Sequence, residues 1–480
     1  MNRIQRGIVF LSTLTILTQA ASAERSKTLN EIIKKYSEQK IICLDVNEEY
    51  QFKVKDGSNR SIRLISVEEH RDSVIGRVRR AEVNIEVNGK FLNLICAPYV
   101  MPTEIEGVRI QADTTSAWLS IPKRVQFSIW DTCDPIVRTD RFGFPIRDYL
   151  LFSHGMQSYN EVVHLGWADG CPEGVKAYHN YGIDFAGYEG REEIISCTEG
   201  EVIRLSSKRD YIFVVIRDDE GLIWEYGHLD SISPQVKKGV HVDRGQKIGI
   251  LGKTGPSGNF AHLHLGNYLS EAELDAGRSN RRLNLYPWLI ATYEQQYHQT
   301  LYAAARPHQT VSTGEKVLFD GSNSLSFGSK IISSTWILPN GETVNGITTE
   351  KEFDKPGVYV ATLRVIDEEG REDVDFYKVK VFTASAPEGR IPTIFMTYTP
   401  TNNIVVNQPV LFRFWLQGVT GELIEVDFGD GTVIKDYVSY SEIRHRFRFP
   451  GIHIVTADST IDGKSIMQKQ KVIVIDEDKP

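Results

Sequence analysis

The chain has 480 residues, of which 41% are hydrophobic and 25% charged, and its formal net charge is −8. That length exceeds one ordinary domain and points to roughly three to four, with the composition of a soluble globular protein. The acidic balance gives no footing for nucleic-acid binding or for attachment to an anionic membrane surface.

Residues 1–23 read as a secretory signal. Arg3 and Arg6 give the positive start, Gly7 to Leu17 the short apolar run, and Ala21-Ser22-Ala23 the small-residue cleavage site. The run is too short for a permanent membrane helix, no later apolar run is long enough, and no Cys follows the cleavage site to carry a lipid. The expected location is secreted or periplasmic. The five cysteines suit an oxidising compartment. Spacing does not fix their pairing; the expectation is Cys43–Cys96 and Cys133–Cys171, with Cys197 buried and free.

From Thr28 to Lys40, Leu29, Ile32, Ile33 and Tyr36 recur at helical spacing, which predicts a short amphipathic helix. The pattern then turns to β. Ile62–Ile65, Ala81–Val87 and Phe91–Ile95 are predicted strands, and Asn88-Gly89 is a hairpin turn signal. Residues 24–130 are therefore expected to form a β-rich domain without a catalytic constellation. Asp131 to Ser158 is an irregular lead-in to a second unit, 131–302. That unit holds strands to about Tyr268, then helical pieces at Glu271–Gly277 and Tyr286–Tyr297. Ala303 to Thr313 reads as a linker. Two units of alternating strands follow, 303–384 and 385–480, with turn signals every ten or so residues; they are predicted β-sandwiches.

The chemistry-bearing residues lie in the second unit. His262 and His264 are separated by one residue, so on a strand both imidazoles enter one cleft while Leu263 and Leu265 turn to the core. Tyr178-His179-Asn180-Tyr181-Gly182-Ile183-Asp184 brings a His and a carboxylate close together, and Tyr226-Gly227-His228-Leu229 supplies another His at a strand end. Histidines with a carboxylate suit zinc, which in catalytic sites keeps one position open for water. His154 and His164 are spare candidates. Asp230, two residues past His228, reads as an exposed turn carboxylate more than as a partner for an imidazole. Gly252-Lys253-Thr254 resembles the end of a phosphate-binding loop, but the first Gly of that pattern would fall at Lys247.

Taken together, the stretch from about Gly174 to Gly266 resembles the lysostaphin-type zinc endopeptidases, many of which cut peptide bridges in bacterial peptidoglycan. The connecting run from Val240 through Gly245-Gln246-Lys247-Ile248-Gly249 is similar too. The resemblance implies Zn²⁺ as cofactor, Asp184 and His264 as metal ligands, and His228 and His262 as catalytic residues. In the family a His sits four residues before the Asp. Here that position is Asn180, with His179 one residue earlier, and three readings stay open. A bulge brings His179 to the metal, Asn180 offers its side-chain oxygen, or the site is metal-weak and inactive. His179 is the expected ligand, because imidazole is the natural third donor.

The last two units resemble PKD domains, Ig-like modules with spacing or binding roles. Asp427-Phe428-Gly429-Asp430-Gly431 matches that family's hallmark turn, and the first unit carries a degraded version at Trp336-Ile337-Leu338-Pro339-Asn340-Gly341. Asp427 and Asp430 read as turn-stabilising carboxylates, with Ca²⁺ the alternative.

The expected fold is thus mainly β and multidomain: an N-terminal β domain, an antiparallel-sheet peptidase domain and two C-terminal Ig-like β-sandwiches. The expected function is a secreted zinc endopeptidase acting on peptidoglycan peptides. The alternatives are a metal-deficient cell-wall or surface binder on the same fold, and a protease acting on extracellular proteins. The terminal modules would take a surface or glycan ligand, and no nucleic acid or transmembrane segment is expected.

Overall fold

The computed structural model describes residues 30–476 apart from 32, 75, 155–157, 160, 165–176, 181, 276–282, 384–391, 418 and 420–422; at 162–164 and 177–179 the backbone alone is described. The proposed signal segment, Cys171 and the 384–391 junction therefore lie outside the described residues. Among the described residues no helix is long and apolar enough to cross a membrane.

The N-terminal unit is two packed four-stranded antiparallel sheets. One runs in the order Lys40–Leu44, Val125–Asp131, Val108–Thr115, Thr103–Ile105, the other Glu49–Lys53, Asn59–Arg71, Val78–Val87, Lys90–Cys96. Strand alternation makes the core: Ala81, Val83, Ile85 and Val87 all turn inward against residues such as Ile110 and Phe127. Asn88 (φ 49°) and Gly89 (φ 82°) make the tight turn that the sequence predicts. Of the helix expected over Thr28–Lys40, the described residues are helical at Asn30, Glu31 and Ile33 and form a turn at 34–36, with Ile33 and Tyr36 buried before the first strand begins at Lys40. The Cys43–Cys96 pairing does not form. Cys96 is a free thiol pointing into the core, while Cys43 is half-buried on the other sheet. Cys133 is exposed, its expected partner Cys171 lying outside the described residues, and Cys197 is buried and free, as expected.

The central unit is a seven-stranded antiparallel sheet ordered His241–Val242, Gly200–Ser206, Phe213–Asp218, Ile223–Gly227, His262–Tyr268, Ile183–Ala186, Ser158–Tyr159. A three-stranded sheet of Glu193–Ile195, Lys247–Leu251 and Leu229–Ile232 and the helix Tyr286–Tyr297 close its core around Phe144, Phe185, Trp224, Leu263 and Trp288. The second expected helix is the short piece Glu271–Asp275.

The segment read as a linker is packed instead. Ala303, Ala305 and Arg306 are buried, and the N–H groups of Ala303 and Ala305 donate to Asp373 and Asp375. The Arg306 guanidinium pairs with Asp375 at 3.1 Å, where neither side chain meets solvent. A small-residue, polar-looking stretch reads as a linker because its partners lie some 70 residues away in sequence.

Both C-terminal units are β-sandwiches, and one ten-stranded sheet runs through them. The join is Val358 of Gly357–Asp367 beside Ile466 of Lys464–Ile475, in parallel. Gly357 is needed there, since a Cβ would come within 2.6 Å of the Ser465 carbonyl. Lys471, buried in the second sandwich, pairs with Asp373 of the first at 2.6 Å. In the hallmark turn, Asp427 accepts from Gly429 N–H (2.8 Å) and Asp430 from Thr432 N–H (3.0 Å), the turn-stabilising roles expected.

Candidate active site

Strand register builds the site. His264 faces Asp184 across one strand boundary and Gly227 across the other. Side chains directly opposite in an antiparallel pair share a face, so a carboxylate and an imidazole meet by pairing alone. Leu263 and Leu265 are fully buried on the other face, as the alternation predicts. Asp184 Oδ1 lies 2.8 Å from His264 Nδ1 and 3.7 Å from His262 Nε2.

Gly227 leaves room for this. A Cβ there would come within 2.5 Å of the Tyr211 hydroxyl and 3.5 Å of His264 Cβ. The next residue, His228, adopts φ 60°, a left-handed backbone that bulky residues rarely hold and that active sites retain. The turn carries its ring to 4.5 Å from that of His262 and 6.1 Å from that of His264, centroid to centroid.

Each of the two candidate catalytic imidazoles is held by a carbonyl. His228 Nδ1 meets Thr254 O at 2.7 Å, and His262 Nδ1 meets Phe260 O at 2.9 Å. A carbonyl only accepts, so both Nδ1 atoms carry the proton and both Nε2 atoms are left as acceptors. Burial holds His228 down to about 3, helped by the neighbouring His262, and burial also lowers His262. Both rings are therefore neutral near pH 7. Asp184 is pushed up by burial but held down to about 2 by His262, His264 and His228.

Thr254 belongs to the stretch that resembled a phosphate-binding loop. Its carbonyl orients His228, while its hydroxyl donates to Leu229 O (2.8 Å) and accepts from Ile212 N–H (2.9 Å). Gly252 lets this loop pass the backbone of Asp230, where a Cβ would clash at 2.3 Å. Asp230 itself is exposed, as expected. Sequence reading missed the carbonyls of Thr254 and Phe260, since backbone acceptors leave no residue-type signal.

Asn180 is buried with its amide on Asp184 Oδ2 and on Ser158 Oγ (3.2 Å). His179 ends the strand Ala177–His179, opposite Val162, and its side chain lies outside the described residues, as does that of His164. His154 is away from the site. It is fully buried, with Nδ1 2.6 Å from Ser153 Oγ and its ring stacked on Tyr398 of the last sandwich. Among the described residues no group of three or more His, Cys, Asp and Glu is arranged as a complete metal cluster. Asp184 and His264 nevertheless fit zinc as a partial set, a carboxylate oxygen and an imidazole nitrogen converging at hydrogen-bond distance.

A mainly β central unit is thus followed by Ig-like modules. Residues 178–276 match the family model of peptidase family M23, and residues 302–381 match that of the PKD domain, so the chain carries an M23 peptidase domain followed by a PKD domain. Similar solved structures include LytM from Ruminococcus gnavus, assigned as a glycyl-glycine endopeptidase. The identity is 23% over 33% of this chain and 62% of that one, with TM-score 0.22. The catalytic domain of the prophage-encoded M23 protein EnpA from Enterococcus faecalis is 28% identical over 20% of this chain and 72% of that one, with TM-score 0.17. The PKD1 domain of the Vibrio cholerae metalloprotease PrtV is 25% identical over 17% of this chain and 95% of that one, with TM-score 0.15. His179, Asn180, Asp184, His228, His262 and His264 all fall inside the M23 match.

Proposed function

We propose that the chain is a zinc-dependent endopeptidase, secreted or periplasmic, that hydrolyses peptide bonds in peptidoglycan peptide bridges. The observation that carries the reading is the cross-strand meeting of Asp184 and His264, with the rings of His228 and His262 beside it. The M23 match supports the peptidase class and the peptidoglycan substrate.

Asp184 and His264 would hold the ion, with the third donor drawn from His179 and Asn180. Zinc in such a site supplies Lewis acidity, polarising a carbonyl oxygen and acidifying water. His262 and His228 present neutral Nε2 acceptors. One takes the proton of the attacking water at its Nε2 and returns it to the departing amine, while the other, neutral, accepts at Nε2 and orients that water.

A second reading has its own observation. Asn180 stands four residues before Asp184, where the resemblance expects a His, and it already faces the carboxylate. An amide is a poorer zinc donor than imidazole, so the fold would then serve as a metal-deficient wall-binding module. Metal analysis of the purified full chain separates the two. Near-stoichiometric zinc that is lost in His264→Ala, with release of peptides from purified sacculi, supports the enzyme. A metal-free, inactive protein under zinc-replete conditions supports the binder. Cleavage of a denatured protein but not of sacculi would move the substrate to extracellular proteins.

A further inference from the structure

The loop that ends at His262 is gripped by the last sandwich. Phe260 lies flat against the His262 ring, with centroids 5.2 Å apart and planes 19° apart. Its ring also stacks on Phe395, at 5.4 Å and 28°. Phe395, on strand Thr393–Thr399, stacks on Trp415 of Val410–Gln417 at 5.3 Å and 16°. Trp415 stacks on Tyr440 at 5.7 Å and 19°. Five rings thus run nearly parallel from a candidate catalytic imidazole into a module 130 residues further along the chain. Such offset stacks fix ring planes, because aromatic quadrupoles favour particular offsets and tilts.

Polar contacts tie the same loop, and the neighbouring segment at Tyr188, to the sandwich. Gln417 donates to Gly258 O (3.0 Å), and the Asn259 amide reaches the Tyr440 hydroxyl. The Tyr188 hydroxyl donates to Glu442 (2.6 Å), with the Arg413 guanidinium over the Tyr188 ring. Trp415 is buried, yet its Nε1 has no hydrogen-bond partner among the described residues, so the residue contributes its faces and leaves a donor unmet.

We propose that Phe260 is a positioning residue for His262, and that Phe395 and Trp415 complete the stack, making the C-terminal sandwich a structural part of the active site. This rests on the reading of His262 as catalytic. His262 has its Nδ1 fixed by the Phe260 carbonyl and one ring face covered by the Phe260 side chain, so both constraints come from one residue. The position of Phe260 is in turn set by the remote module. A flexible wall-binding tail would not need this; here the tail holds the loop that carries the imidazole.

The test uses the zinc-loaded full chain with isotope-labelled histidine. The His262 ring signals are identified by their loss in His262→Gln. Phe395→Leu removes the ring that stacks on Phe260, one ring further from His262 in the stack. The expected result is a displaced His262 ring signal and a kcat lowered about tenfold, with KM and zinc content unchanged and with recovery in Phe395→Tyr. Tyr440→Ser, at the half-exposed end of the stack, keeps the core and is expected to give a smaller change of the same kind. Unmoved His262 signals and unchanged kcat in folded Phe395→Leu and Tyr440→Ser overturn the proposal. If the wild type cleaves nothing while the ring signals still move, the positioning stands and the peptidase reading fails.

Discussion

The amide of Asn180 donates to the carboxylate of Asp184, four residues on. That contact puts position 180, rather than an arbitrary neighbour, at the edge of the site. It means that a donor of the right reach at 180 would face the same ion as Asp184 and His264. Asn180→His is expected to tighten zinc binding by tenfold or more, because imidazole is a stronger zinc donor than an amide oxygen. Competition with a chelating dye would measure it. No gain, together with zinc loss in His179→Ala, would assign the third ligand to His179.

His262 and His228 should separate cleanly from the metal ligands. Their Nδ1 atoms are committed to carbonyls, and under the proposed function neither holds the ion. Alanine at either position is expected to leave zinc content near wild type and to lower kcat by about 10²–10⁴, the range for a lost proton-transfer group. Metal analysis and turnover on sacculi, run on the same preparations, check this.

Glu192 gives a pH prediction away from the ion. Burial pushes its carboxyl up to about 8, against hydrogen bonds from its own N–H, the Tyr188 N–H and Thr399 of the last sandwich. The folded chain therefore keeps a proton that the unfolded chain releases near its ordinary value. The stability tied to this group is complete below about 4.5, falls as pH rises from there, and is lost by about 8. Glu192→Gln should flatten that part of the stability–pH curve, by on the order of a few kcal/mol. Denaturant midpoints from pH 5 to 9 would show a slope unaltered by the substitution if the carboxyl were ionised in the fold.

Gly227→Ala tests the packing behind the imidazoles. The added methyl meets the Tyr211 hydroxyl, and that ring packs on His228 at 5.3 Å. A stability loss of about 1–3 kcal/mol is expected from overpacking, with turnover reduced beyond what the remaining folded fraction explains. Chemical denaturation and activity at a permissive temperature measure the two effects separately.

The sequence made the inner half of the site readable. The single-residue spacing of His262 and His264 fixes a shared strand face, and Asp184 enters opposite His264 because both strands alternate with period two. Asn88-Gly89 likewise announced its own turn. What escaped were relations with no local signature. Phe260, Phe395 and Trp415 are isolated aromatics whose stacking is a tertiary event across more than 130 residues. Ala303 to Arg306 looked like a tether because the carboxylates that hold it lie far downstream. The family match for a PKD domain falls on residues 302–381, the unit with the degraded hallmark turn. Only the visible turn residues had decayed there, while the strands that build the sandwich remain.

Lys464–Ile475 is the last strand of the described chain, yet it borders three others: Gly451–Ile461 and Ile404–Val405 in its own sandwich, and Gly357–Asp367 in the preceding one. A protease nick or premature stop that removed it would strip both modules at once. Gly357–Asp367 would lose its neighbour on that side, opening a sticky backbone border of the kind through which β proteins self-associate. Asp373 would be stranded without its ammonium counterion in a dry interior. Tail-clipped chains should therefore clump rather than survive as a trimmed, working peptidase.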